Sequence, residues 1–168
     1  MPDKARKTVA EPWKKVLLDC LPRYGHRNWI VVADSAYPLQ SSTGIRTLVC
    51  HDSQFGVLHA VLAAIGKHQH VKPVVYTDAE LQFVDAQDVP AISAYRKQLA
   101  ATLGKVNVQV LPHEQIIAKL DKTSVMYEVL ILKTDLTIPY TSIFLELDCR
   151  YWNAEAEKRL RDSMSASR

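Results

Sequence analysis

The sequence predicts an α/β layered fold: a single domain whose helices flank a largely parallel central sheet. Three observations predict it. Short, β-branched apolar runs alternate with segments of helical period along the chain. Residues 28–33 are apolar at nearly every position, as a strand buried on both faces must be. The connections carry turn residues and polar loops rather than an interdomain linker.

Glu11-Pro12 opens the first helix, with Trp13, Val16, Leu17 and Cys20 on one side; Pro suits a first turn because its missing N–H is not needed there. Pro22 and Gly25 close it. Residues 28–33 form a strand, followed by Asp34-Ser35-Ala36-Tyr37-Pro38 and a polar loop over 40–44. A second strand covers 45–50. A helix covers 54–67, where Val57, Leu58, Val61, Leu62 and Ile65 recur at three- and four-residue spacing.

Residues 73–76 make a third strand. Residues 90–103 form an amphipathic helix with Ile92, Tyr95, Leu99 and Leu103 on its inner stripe, ended by Gly104. Over 106–111 the alternation points Val106, Val108 and Val110 inward and Asn107 and Gln109 outward, a half-buried strand. Pro112-His113-Glu114 starts another helix, with Ile116, Ile117 and Leu120 apolar. Strands over 129–133 and 142–147 follow. The chain divides into a flexible basic tail (1–10), one domain (11–150) and a charged C-terminal helix or tail (151–168).

Charge and cysteine usage exclude several functions. The net charge is +3, but residues 1–15 hold five bases and two acids, leaving 16 of each over the remainder. A neutral body lacks the basic face of a nucleic-acid binder. Cys20, Cys50 and Cys149 are dispersed and form no CxxC, so the chain reads as a cytoplasmic protein without a disulfide framework. No apolar run approaches the ~20 residues of a membrane span. None of the five glycines stands in a phosphate-loop or dinucleotide spacing, and no GxSxG elbow occurs.

The chemistry therefore rests on few residues. His26 precedes the strand and Asp34 follows it, two proton-transfer groups on rigid backbone. His68-Gln69-His70, with His51, Asp52 and His59, is the one group resembling metal ligands; its unpatterned spacing argues against a metal site. It leaves a metal-assisted hydrolase as a third and weaker function. His113 stands at a helix start after a strand, where side chains can face a pocket above the carboxyl edge of a sheet. The Tyr140 hydroxyl, in a turn after Pro139, can hydrogen-bond a polar ligand.

In combination these segments resemble the D-ribose pyranase and L-fucose mutarotase family. Gly25-His26, the strand 30–33 and Asp34-Ser35-Ala36-Tyr37-Pro38 resemble its Gly-His, apolar strand and Asp-Ala-Gly-Leu-Pro, with the same His-to-Asp spacing. Residues 108–115, ending Pro112-His113-Glu114-Gln115, resemble its strand and Thr-His-Glu-Gln. Lys133-Thr134-Asp135 through Pro139-Tyr140-Thr141-Ser142-Ile143-Phe144-Leu145 resembles its Ser-Gly-Glu and Pro-Tyr-Ala-Asn-Ile-Ile-Leu.

The resemblance implies a cytoplasmic, cofactor-free and metal-free isomerase that interconverts cyclic forms of a reducing monosaccharide. It implies a homo-oligomeric ring, in the family often a decamer, with sites between subunits. By position His26 carries the proton transfer, Asp34 holds a sugar hydroxyl or tunes the histidine, and His113, Tyr140 and Ser142 bind the sugar. The chain departs from the family pattern at Ser35-Ala36, around Arg46-Thr47, at Leu136 and at Ser142, which replaces an amide by a shorter hydroxyl. The second function, from a different class, is a non-catalytic carbohydrate-binding or assembly subunit on the same fold.

Overall fold

Strand β1 (Trp29–Ala33) lies at the centre of the sheet with all five residues buried, as its unbroken apolar run requires. The computed structural model describes residues 12–167; the tail expected over 1–10 lies outside them. Around β1 stand β2 (Ile45–Val49), β3 (Val71–Asp78), β4 (Val108–Leu111), β5 (Val129–Lys133) and β6 (Ile143–Cys149). The six-stranded order is β2-β5-β1-β6-β3-β4. Five strands run in one direction and β6 alone runs against them, antiparallel to both β1 and β3.

Helices α1 (Pro12–Cys20), α2 (Gln54–Gly66) and α3 (Ile92–Leu103) cover one face, where Leu17, Leu58 and Ile92 meet Ile30, Leu132 and Leu145. Helix α4 (His113–Ser124) covers the other, placing Ile116 and Leu120 against Trp29, Val31 and Phe144. The layers are helix, sheet, helix. Ser53 caps α2 by accepting from the Gly56 N–H at 3.1 Å, and Gly104 ends α3 at φ +53°, a conformation that favours glycine. A fifth helix, α5 (Ala154–Ala166), buries none of its residues.

Two readings change. Strand β3 is longer than the 73–76 segment and ends on Asp78, followed by a single 3₁₀ turn over Ala79–Phe83. Strand β4 is not half-buried with valines inward: Val108 and Val110 are 37% and 55% exposed. The alternation is present, but β4 closes one edge of the sheet, where α3 covers it only in part.

Gly44 marks a close approach. A Cβ there would collide with the carbonyl oxygen of Ser124, just where the Gly44 oxygen accepts from the Val129 N–H at 2.9 Å. Gly44→Ala is expected to destabilise the protein by about 1–3 kcal/mol through overpacking, measured by urea unfolding at fixed protein concentration. An unchanged midpoint would show that the loop yields without cost.

Candidate functional site

The reversal of β6 builds the site. Because β6 runs against β1 and β3, its entrance lies at the edge where those strands exit. Asp34, just past β1, therefore meets Ser142, just before β6. The Ser142 hydroxyl donates to Asp34 Oδ1 at 2.8 Å and lies within 3.2 Å of the Asp34 N–H; the Ala36 N–H donates to Asp34 Oδ2 at 3.3 Å. Strand β3 delivers Asp78 on the other flank of β6, and β4 leads through Pro112 to His113 at the first turn of α4.

Asp34, Tyr37, Asp78, His113, Tyr140 and Ser142 line an open cleft of about 270 Å³ at this carboxyl edge. His113 is fixed from two directions. Its Nδ1 lies 2.9 Å from Asp78 Oδ2, and its backbone N–H donates to both Glu80 carboxylate oxygens at 3.0–3.1 Å. The Tyr140 ring stands edge-on to the imidazole at 5.9 Å. With Nδ1 engaged, Nε2 is the nitrogen left to a ligand.

The Asp78 side chain is wholly buried, and its Oδ1 has no hydrogen-bond partner. Burial raises its pKa to about 6, with His113 pulling in the opposite direction and the Glu80 and Asp34 carboxylates adding to the rise. Burial likewise pushes the Tyr37 phenol up. When ionised, Asp78 can accept from Nδ1–H, which favours the tautomer that leaves the lone pair on Nε2.

Tyr140 adopts a left-handed backbone, φ +56°, which a bulky residue holds only when its surroundings force it. A buried network does so. Gln54 Nε2 donates to the Thr141 carbonyl at 2.6 Å, and the Tyr95 hydroxyl lies 2.6 Å from Gln54 Oε1. The Thr141 hydroxyl donates to the Ile138 carbonyl at 2.6 Å. Helices α2 and α3 thus hold the turn that presents Tyr140 and Ser142.

Of the five residues expected in the site, Asp34, His113, Tyr140 and Ser142 share the cleft, and His26 does not. His26 is exposed at the opposite end of β1, about 20 Å away by the rise of a strand. Hydrogen bonds hold the turn that carries it. The Gly25 N–H donates to Asn28 Oδ1 at 2.8 Å, the Arg27 N–H donates to the Leu147 carbonyl at 2.9 Å, and Arg27 itself has φ +77°. His26 has no hydrogen bond or ion pair among the described residues. Within one chain the His26–Asp34 pair does not form.

Sequence reasoning missed Asp78, Glu80, Gln54 and Tyr95. A signal for Asp78 existed: Val74-Val75-Tyr76-Thr77-Asp78 repeats the pattern of an apolar strand delivering an acid, as in Val31-Val32-Ala33-Asp34. Of the histidines in the 51–70 region only His68 and His70 meet, their rings edge-on at 5.4 Å. His70 Nε2 lies 2.9 Å from the Tyr24 carbonyl, His68 Nδ1 lies 2.9 Å from the Ala64 carbonyl, and His59 is exposed on α2. Among the described residues no three His, Cys, Asp or Glu side chains are grouped to hold a metal ion. No helix among them is long and apolar enough to cross a membrane.

The model of the RbsD / FucU transport protein family matches residues 12–149. Among solved structures, the chain is similar to fucose mutarotase from Streptococcus pneumoniae in complex with L-fucose, at TM-score 0.53 and 22% identity over 79% of this chain and 91% of that one. It is similar to Bacillus subtilis RbsD complexed with D-ribose at TM-score 0.52 and 21% identity, with the same coverage. FucU from Bifidobacterium longum follows at TM-score 0.50 and 16% identity, over 80% and 94%. At these identities the likeness shows the fold. No curated protein sequence matches the chain.

Proposed function

The chain belongs to the RbsD / FucU family, and from that premise we propose that it interconverts cyclic forms of a reducing monosaccharide by acid/base proton transfer. The carrying observation is the cleft itself: Asp34, His113, Tyr140 and Ser142, drawn from three separate segments, face one cavity at the sheet's carboxyl edge. The sugars bound in the two solved relatives, L-fucose and D-ribose, support a monosaccharide as ligand.

Opening a hemiacetal ring removes a proton from the anomeric hydroxyl, breaks the bond between C1 and the ring oxygen, and returns a proton to that oxygen. Two positioned groups are needed, and such transfer contributes roughly 10²–10⁴-fold. His113 accepts or donates at Nε2 under the control of Asp78. Asp34, an acceptor from sugar hydroxyls, is held in place by Ser142, and Tyr140 walls the cleft. His26 is the second proton carrier and comes from a neighbouring copy. Its exposed turn stands at the far end of β1 from Asp34, and His26 has no hydrogen bond or ion pair among the described residues. A homo-oligomer with sites between subunits follows from this reading.

Exchange NMR on the anomeric protons of a panel of pentoses and deoxyhexoses tests it. Accelerated exchange for at least one sugar is the expected result. Saturation transfer to bound sugar without acceleration of any would replace the enzyme by a carbohydrate-binding subunit.

A further inference from the structure

The 3₁₀ turn over Ala79–Phe83 is held from both faces of the sheet, by side chains that belong to helices on opposite sides of it. From α3, the half-buried Arg96 reaches the turn's backbone. Its Nε and Nη2 donate to the Leu81 carbonyl at 3.1 and 2.7 Å, and Nη2 also donates to the Val84 carbonyl at 2.6 Å. Carbonyls at the end of a helical turn lack a following N–H, and a cation suits them. On the α4 side, Glu80 of the same turn accepts from the His113 N–H with both carboxylate oxygens. That N–H is one of those a helix leaves unpaired at its start, and the N-cap, Pro112, makes no side-chain cap. Glu80 thus caps α4 from another element, with its charge at the positive end of the helix.

We propose that Arg96 is a positioning residue of the site: by fixing the turn it places Glu80 on α4 and so sets the His113 imidazole against Asp78. The inference rests on the reading of His113 as a proton carrier. Within the turn only Leu81 is buried, while Gln82 and Phe83 are exposed, so packing alone anchors one residue of five. A single residue separates Asp78 from Glu80, so any shift of the turn moves both partners of His113 together. Proton transfer tolerates little of this, since a misplacement of about 1 Å can cost about 10²-fold in rate. The fork of a guanidinium also matters. It spans the Leu81 and Val84 carbonyls at once, where a lysine would offer one point charge.

The test compares Arg96→Met, Arg96→Lys, Glu80→Ala and the double variant Arg96→Met with Glu80→Ala by anomeric exchange over a range of sugar concentrations, circular dichroism checking that each folds. Arg96→Met is expected to lower kcat by about 10–10²-fold with KM within about twofold, because Asp34, Tyr140 and Ser142 come from other segments. Arg96→Lys is expected to recover part of that loss. Glu80→Ala is expected to lose about as much, and the double variant no more than the larger single loss, since both changes act on one contact. The nitrogen-15 signals of His113 are expected to shift in every variant that loses rate. Losses that multiply in the double variant would overturn the action through Glu80. Parental kcat and parental His113 signals in Arg96→Met, or a loss that only matches its unfolded fraction, would overturn the positioning role. Should Arg96→Met fail to fold, Arg96→Lys and Glu80→Ala decide the matter by the same readings. An unmodified protein that accelerates exchange of no sugar would overturn the reading beneath, and the His113 signals would still show whether Arg96 sets the imidazole.

Discussion

Replacing His26 by alanine is expected to reduce protein-dependent anomeric exchange by roughly 10²–10⁴-fold, the range for loss of one positioned proton carrier. Stability should barely move, because the side chain is exposed and makes no hydrogen bond among the described residues. The same loss is expected for His113→Ala, which removes the other proton carrier. The decisive measurement mixes the two inactive variants. If each site takes His26 from one subunit and His113 from the next, random co-assembly at equal amounts restores about a quarter of the sites, since half of each contribution is intact. Refolding the variants together and measuring exchange reads this fraction. Mixed assemblies that stay inactive would place both histidines in one chain's own site, against the separation at opposite ends of β1.

Asp78→Asn is expected to lower exchange by about 10²-fold, since the amide can still accept from Nδ1–H but carries no charge to favour that tautomer. In the unmodified protein kcat/KM should rise with pH through about 6, as Asp78 ionises and frees the Nε2 lone pair; in Asp78→Asn that inflection should vanish. Nitrogen-15 shifts of His113 report the tautomer directly, and an unchanged tautomer with an unchanged pH profile would reduce Asp78 to a structural residue.

Stability should move the other way. The folded-state pKa of Asp78 lies above its ordinary value of 3.8, so the folded state binds the proton more tightly than the unfolded state. Its contribution is therefore favourable below about pH 4 and is lost as pH rises through 6, at a cost of about 2–3 kcal/mol at neutral pH. Asp78→Asn should be at least as stable as the parent at pH 7.5, with the advantage shrinking toward pH 4. Urea unfolding at fixed protein concentration measures both points.

The elements were legible because each is a local pattern. The helical stripes at Val57-Leu58-Val61 and Ile92-Tyr95-Leu99 name their own buried faces, and the run 29–33 declares a central strand. Residue spacing also marked Asp34, His113 and Tyr140, since an acid leaving a strand, a histidine entering a helix and a tyrosine after proline are local signatures. Strand β4 failed for the opposite reason. Alternation states which side chains share a face, but whether anything covers that face depends on the strand's place in the sheet.

Local chemistry along the chain thus sufficed for the α/β class, the element order and three of the cleft residues, while Ser142 came from the family resemblance. Three matters waited for the tertiary structure. The direction of β6 set which strand ends meet, bringing Asp34, Ser142 and Asp78 together although they lie 44 to 108 positions apart. The burial that raises the Asp78 pKa comes from packing around β3 and α4, which no residue encodes alone. The separation of His26 from Asp34 follows from strand length: residues adjacent across one short apolar run stand at opposite edges of the sheet, because a strand carries its two ends apart by about 3.3 Å per residue.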